Sequence, residues 1–200
     1  MEVLLLIVLS TFLVSFISFI GIITLFIKEK LLNKILLFFI ERILHWRHCH
    51  KENCPIHTFA YTNLIGDGVH NFIDGLIIAA AYLINISLGI TTTIAIILHE
   101  IPKEVGDFGV LVYAGFKKKK ALFYNFLSAL TAILGAILGY LISGGFNITI
   151  LLPFAAGGFI YIAATDLIPE LHKRVKVSES IFQLIFILIG LILMWSLRFL

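Results

Sequence analysis

Apolar residues run along this chain in long blocks, and polar residues collect in the short gaps between them. A helix needs roughly 20 apolar residues to cross the hydrocarbon core of a bilayer. Six stretches meet that test: residues 3–27, 62–84, 88–116, 121–142, 148–171 and 181–199. Each ends in a short polar or glycine-bearing connection, which predicts antiparallel neighbours in a helical bundle. Small residues recur inside the blocks, as in Gly135-x-x-x-Gly139 and Ala155-Ala156-Gly157-Gly158, where they allow close approach of helix backbones. The predicted fold class is therefore an all-α integral membrane protein, a polytopic helical bundle forming one membrane domain over residues 1–200.

A seventh apolar segment, residues 31–46, breaks the pattern. Its 16 residues would cover only about 24 Å as a helix. Lys30, Lys34, Glu41 and His45 recur at near-helical spacing, with Leu36, Leu37, Phe39, Ile40 and Ile43 between them, which describes an amphipathic helix lying on the membrane surface. Basic residues cluster at 28–34, 42–51, 117–120 and 173–176. Lys and Arg favour the cytoplasmic side, and all four clusters fall there if 31–46 lies on the surface. The prediction is six spans plus one short interfacial helix, with both termini extracytoplasmic; the alternative is seven spans, the short one tilted. Two glycosylation sequons, at Asn85 and Asn147, fall in outer loops and carry no weight, because such matches are common by chance.

Composition agrees with the pattern. Hydrophobic residues make up 60% of the chain, and the mean hydropathy of +1.06 excludes an ordinary soluble domain. The net charge of +3 is distributed as orientation signals, which argues against a nucleic-acid partner. The first block is too long for a signal-peptide core and lacks a basic stretch before it, so it reads as a true span. The expected setting is the cell membrane, with the lipid bilayer as the surrounding partner.

The acidic residues change the picture most. Of twelve, seven lie within or at the ends of the predicted spans: Asp67, Asp74, Glu100, Glu104, Asp107, Asp166 and Glu170. Lys103 is the one clearly internal base. Ionisable groups at membrane depth are expensive, and carboxylates in excess of their protein partners must take up protons or bind cations. His70 and Asp74 stand at i and i+4 with Asn71 beside them; Glu100 and Glu104 repeat that spacing on the next helix, as do His99 and Lys103. Two such helices side by side would present nitrogen and oxygen ligands to a shared ion. Mixed imidazole and carboxylate ligation suits Zn²⁺, with Fe²⁺ and Mn²⁺ as alternatives. Pro102 cannot donate a backbone hydrogen bond and releases the Leu98 carbonyl beside this cluster. An enzyme is not expected: His99-Glu100 matches the start of the H-E-x-x-H hydrolase motif, but Lys103 holds the position of the second histidine.

Two outlying groups complete the candidate chemistry. The predicted cytosolic loop 45–57 carries His45, His48, Cys49, His50, Cys54 and His57, a density that suits metal capture although the spacing matches no fixed four-ligand template. Asp166, Glu170 and His172 sit at the inner end of their span and form a candidate exit site.

The motifs His70-Asn-Phe-Ile-Asp74-Gly75 and His99-Glu-Ile-Pro-Lys-Glu-Val-Gly-Asp107-Phe-Gly109, with the stretch from Leu152 to Leu171, resemble the signature helices of the ZIP family of zinc and iron transporters. The resemblance covers residues 62–199, a five-span core. It implies metal movement into the cytosol by alternating access, with an elevator-like shift of one helix group, often in a homodimer. It also implies that His70, Asn71, Asp74, His99 and Glu100 line the metal site, and that position 103 is a ligand position, filled here by lysine. An ammonium there would repel a divalent ion or take the place of one, so at most one well-formed ion site is expected between these helices. The family generally has eight spans; this chain resembles it without a hairpin near the second and third.

The functional expectation is a divalent transition-metal transporter, Zn²⁺ being its transported substrate, with no separate cofactor. Its pathway would use His70, Asn71, Asp74, His99, Glu100, Glu104 and Asp107, modified by Lys103. The alternative is a truncated relative that binds metal, or pairs with a full-length transporter, without moving ions itself.

Overall fold

The computed structural model describes residues 2–25, 56–162 and 177–197. Among these residues it is helical apart from short connections at Asn85, 114–117, Leu130 and 143–147. The predicted surface helix 31–46, the His- and Cys-bearing loop 45–57 apart from the backbone of its last two residues, and the candidate exit residues Asp166, Glu170 and His172 lie outside them.

Helix α1 (Glu2–Phe16) passes into a 3₁₀ segment (Ile17–Leu25). Sequence predicts one uniform span here, and the change of pitch has a local cause in the serines. Ser15 Oγ lies 2.9 Å from the Thr11 carbonyl and 2.8 Å from that of Ala129, and Ser18 Oγ donates to the Ser15 carbonyl at 2.8 Å. Hydroxyls that bond backbone carbonyls compete with the regular ladder and loosen it.

α2 (Ile56–Ile84) and α3 (Ile86–Tyr113) form the central hairpin. α2 begins ahead of the apolar block at 62, because the polar residues before it extend the helix rather than end it. The connection is a single residue. Asn85 has extended backbone, and its Oδ1 accepts from the Leu88 amide at 2.7 Å, satisfying one of the orphan donors at the start of α3. Asn147 caps the short 3₁₀ turn Ile148–Ile150 in the same way, its Oδ1 accepting from the Thr149 amide at 3.2 Å. Both sequon asparagines are thus structural caps. Asn85→Ala should lower the unfolding free energy by about 1 kcal/mol, and Asn85→Asp should restore it; equal stability of wild type and Asn85→Ala in denaturant titrations of the micellar protein would contradict this.

α4 (Lys118–Ala129) and α5 (Thr131–Ile142) make one rod with a local break at Leu130. α6 (Leu151–Ile162) packs on α2, and α7 (Val177–Leu197) is apolar and exposed along almost its whole described length. The stretches Glu2–Ile22, Phe59–Ile84 and Lys118–Ile142 are long and apolar enough to cross a membrane, and Ile148–Gly158 and Ile181–Leu193 are shorter apolar helices. α3 has membrane length but carries the densest set of internal charges. Leu, Ile and Phe side chains cover the outer surfaces of α1, α4, α5, α6 and α7, where lipid replaces water as the solvent.

The closest helix packing is between α2 and α5. A Cβ built on Gly75 would lie 1.9 Å from the Ala132 carbonyl oxygen, and one on Gly135 would lie 2.0 Å from that of Phe72. Backbone meets backbone at both points, the use of small residues that Gly135-x-x-x-Gly139 predicts.

Two apolar clusters hold the ends of the hairpin. One gathers Ile77, Ile78 and Tyr82 with Ile96, Ile7, Val14 and Ala136; the other gathers Ala60 with Phe108, Leu111, Ala114, Ala121 and Leu122. Between them, on both helices, lies a polar layer. α2 has 29 residues and is about 44 Å long, so this layer sits near mid-length.

Candidate metal centre

The one-residue connection sets the register of the hairpin. His70 and Glu100 stand equally far from Asn85 along the chain, as do Asp67 and Lys103, and Asn63 and Asp107. Antiparallel helices joined so tightly bring equidistant residues to one depth, and each of these pairs is in contact.

Four donor atoms meet at the centre. His70 Nε2 lies 3.3 Å from His99 Nε2, 3.4 Å from Asp74 Oδ2 and 3.2 Å from Glu100 Oε1. His99 Nε2 lies 3.3 Å from Asp74 Oδ2 and 3.4 Å from Glu100 Oε1. Five of the six distances among these donors are thus 3.2–3.4 Å, and the two carboxylate oxygens lie within 4.8 Å of each other; a regular tetrahedron with edges of about 3.3 Å would place its centre about 2.0 Å from every corner, the bond length of Zn²⁺ to imidazole nitrogen and carboxylate oxygen. Asp74 Oδ2 and Glu100 Oε1 are buried and make no hydrogen bond, although Glu100 Oε1 also faces the Lys103 ammonium at 3.1 Å. His99 Nδ1 faces the Ala95 carbonyl at 3.2 Å; an N–H donated there leaves the Nε2 lone pair directed at the other donors. The imidazole side chains are 33% and 26% exposed, whereas the two carboxylates behind them are 3% and 1% exposed, so the cluster opens on its histidine side.

Beside this centre the carboxylates are already partnered. Asp67, 4% exposed, accepts at Oδ1 from Asn71 Nδ2 at 2.8 Å and from Lys103 Nζ, and at Oδ2 from the Ser128 hydroxyl at 2.5 Å. Lys103 Nζ also lies 3.1 Å from Glu100 Oε1 and 3.9 Å from Asp107 Oδ2. Glu104 is buried and accepts from Asn125 Nδ2; Asp107 accepts from Asn63 Nδ2 at 2.8 Å.

The residues singled out by sequence thus divide. His70, Asp74, His99 and Glu100 converge. Asn71 is adjacent, but its amide nitrogen serves Asp67 while its Oδ1 is buried without a hydrogen bond. Glu104 and Asp107 stand on the Lys103 side. Asp67, Asn63, Asn125 and Ser128 are additions. Asn63, Asp67, Asn71 and Asp74 follow one another at helical spacing, a polar stripe along α2 that marks Asp67 and Asn63 in the sequence itself. Nothing comparable marks Asn125 and Ser128, which reach the layer because Leu130 interrupts the rod and Thr131 Oγ1 bonds the Gly68 carbonyl at 2.6 Å.

An all-helical, polytopic membrane chain with side chains that could hold a metal ion gathered at mid-helix has the build of a protein that handles cations within the bilayer. The sequence model of the ZIP zinc transporter family matches residues 45–198. This chain belongs to that family. It is 39% identical over 153 residues to the human zinc transporter SLC39A7, a match covering 72% of this chain and 33% of the relative. It is 38% identical over 142 residues to the zinc transporter zipt-7.2 of Caenorhabditis elegans, covering 68% and 31%. It is 42% identical over 125 residues to the metal cation symporter ZIP14 of Xenopus tropicalis, covering 62% and 27%. The match therefore spans about a third of the length of these curated relatives. No solved structure gives a significant match.

Proposed function

We propose that this chain carries a divalent transition-metal ion, Zn²⁺ foremost, across the membrane to the cytosol by alternating access, with His70, Asp74, His99 and Glu100 as its ligands. The observation that carries the reading is the convergence of two imidazole nitrogens and two buried carboxylate oxygens, with five of their six separations at 3.2–3.4 Å. Family membership and the zinc-transporter names of the relatives support it.

Charge favours the same ion. Asp74 and Glu100 together neutralise a divalent cation, while Lys103 balances Asp67, so the loaded centre adds no net charge to the low-dielectric interior. Four donors with two nitrogens suit Zn²⁺ better than ions that seek six oxygens. A site midway along two packed helices is equally remote from both membrane faces, the arrangement alternating access requires. The exposed imidazole edges are the side from which the ion reaches the carboxylates.

Reconstituted liposomes loaded with a Zn²⁺-sensitive dye test the reading. Wild-type protein should give uptake above empty liposomes, and the double variant Asp74→Ala/His99→Ala should fall to their level. Wild-type protein that binds Zn²⁺ yet gives no uptake would refute transport by this chain and leave a metal-binding subunit.

A further inference from the structure

The acidic pocket beside the four-donor centre offers a metal only oxygen donors. Donor oxygens of Asp67, Glu100 and Glu104 come within 4.8 Å of one another, and all three residues are buried. Carboxylates at that spacing, without a nitrogen or sulfur donor, form a site for a hard cation such as Mn²⁺, Mg²⁺ or Ca²⁺. The chain itself supplies a cation there. Lys103 Nζ contacts Asp67 Oδ1 and lies 3.1 and 3.2 Å from the two oxygens of Glu100.

We infer that Lys103 is a specificity-determining residue, a tethered cation that closes this all-oxygen pocket to hard divalent ions and confines exogenous metal to the neighbouring imidazole–carboxylate centre. The inference rests on the metal-binding reading of that centre and extends it to which ions are refused.

Two features support it. The pocket does not depend on Lys103 alone for its shape, because two of its three acids have neutral clamps of their own: Asn71 and Ser128 hold Asp67, and Asn125 holds Glu104. Shortening the lysine would therefore leave the oxygens in place and uncompensated. Secondly, Glu100 is shared. Its Oε1, on a side chain 1% exposed, makes no hydrogen bond and faces both imidazoles as well as Lys103. A mobile divalent ion in the pocket would draw on the oxygen that the centre needs, whereas an ammonium on a fixed stem neutralises the pocket and cannot leave with the cargo.

Mn²⁺ binding to the purified full chain, followed by electron paramagnetic resonance with one equivalent of Zn²⁺ bound and no excess, tests this. All variants share segment 45–57, so the difference between them reports the pocket. Wild type should take up no Mn²⁺ at this site. Lys103→Ala, or Lys103→Gln if the alanine variant does not fold, should gain one equivalent, with affinity at least about tenfold above wild type. Adding Asp67→Asn should abolish the gain, and Lys103→Arg should show none. Equal Mn²⁺ binding by wild type and the neutral variants, or a gain that survives Asp67→Asn, would overturn the inference. Zn²⁺ binding insensitive to His99→Ala would instead overturn the reading of the neighbouring centre, and the Mn²⁺ comparison would still decide the role of Lys103.

Discussion

His99→Ala is expected to weaken Zn²⁺ binding at the hairpin by more than about 100-fold, because it removes a direct donor, and loss of a group that only orients a donor already costs about 10–100-fold. His99 Nε2 contributes three of the 3.3–3.4 Å edges of the donor tetrahedron, to His70, Asp74 and Glu100. Three remaining donors leave an open coordination position and no second imidazole. Asn71→Leu should lose less, about tenfold, because the Asn71 amide donates to Asp67 and acts on the centre through it. Competition against a fluorescent chelator gives the affinities, and X-ray absorption at the zinc edge gives the coordination. Undiminished affinity with unchanged coordination in His99→Ala would dismiss the four-donor centre.

The second large effect belongs to a residue with no side chain. Gly75→Ala should destabilise the protein by about 1–3 kcal/mol and weaken Zn²⁺ binding, because its new Cβ would lie 1.9 Å from the Ala132 oxygen and 2.8 Å from both Ala132 C and Ala136 N. All three are backbone atoms, so no rotamer relieves the clash, and reaching ordinary contact at about 3.5 Å requires α2 and α5 to separate. Asp74 is the preceding residue, and Asp67 on the same helix is held by Ser128, so the separation reaches the metal ligands directly. Gly66→Ala is the control: nothing lies within 4 Å of its Cβ, and removing a mid-helix glycine should be neutral or stabilising by up to about 1 kcal/mol. Thermal unfolding in detergent, with Zn²⁺ titration of the same samples, separates the two. A Gly75→Ala protein as stable as wild type with unaltered affinity would show that the crossing is not needed in this form.

The polar pattern carried much of this in advance. Hydrocarbon tolerates His70, Asp74, His99 and Glu100 only where they meet partners or ions, and their i, i+4 spacing put each pair on one helix face. Asp67 was legible as part of the stripe from Asn63 to Asp74, yet its role was not, because a carboxylate that binds metal and one that binds lysine look alike along a chain. The serine-driven change from α to 3₁₀ after Phe16 was hidden among residues as apolar as those before it.

By itself, then, the sequence determined that the chain is a helical membrane bundle and which two helices carry the imidazoles and carboxylates of the proposed centre, since these follow from hydropathy, periodicity and donor chemistry. The tertiary structure decided the pairing. A single-residue break at Asn85 sets the depth at which α2 faces α3, giving His70 to Glu100 and Asp67 to Lys103, and the bare backbone at Gly75 and Gly135 lets α5 approach α2 closely enough for Ser128 to hold Asp67. Contacts between residues far apart in sequence are set by register and approach distance, which no local pattern encodes.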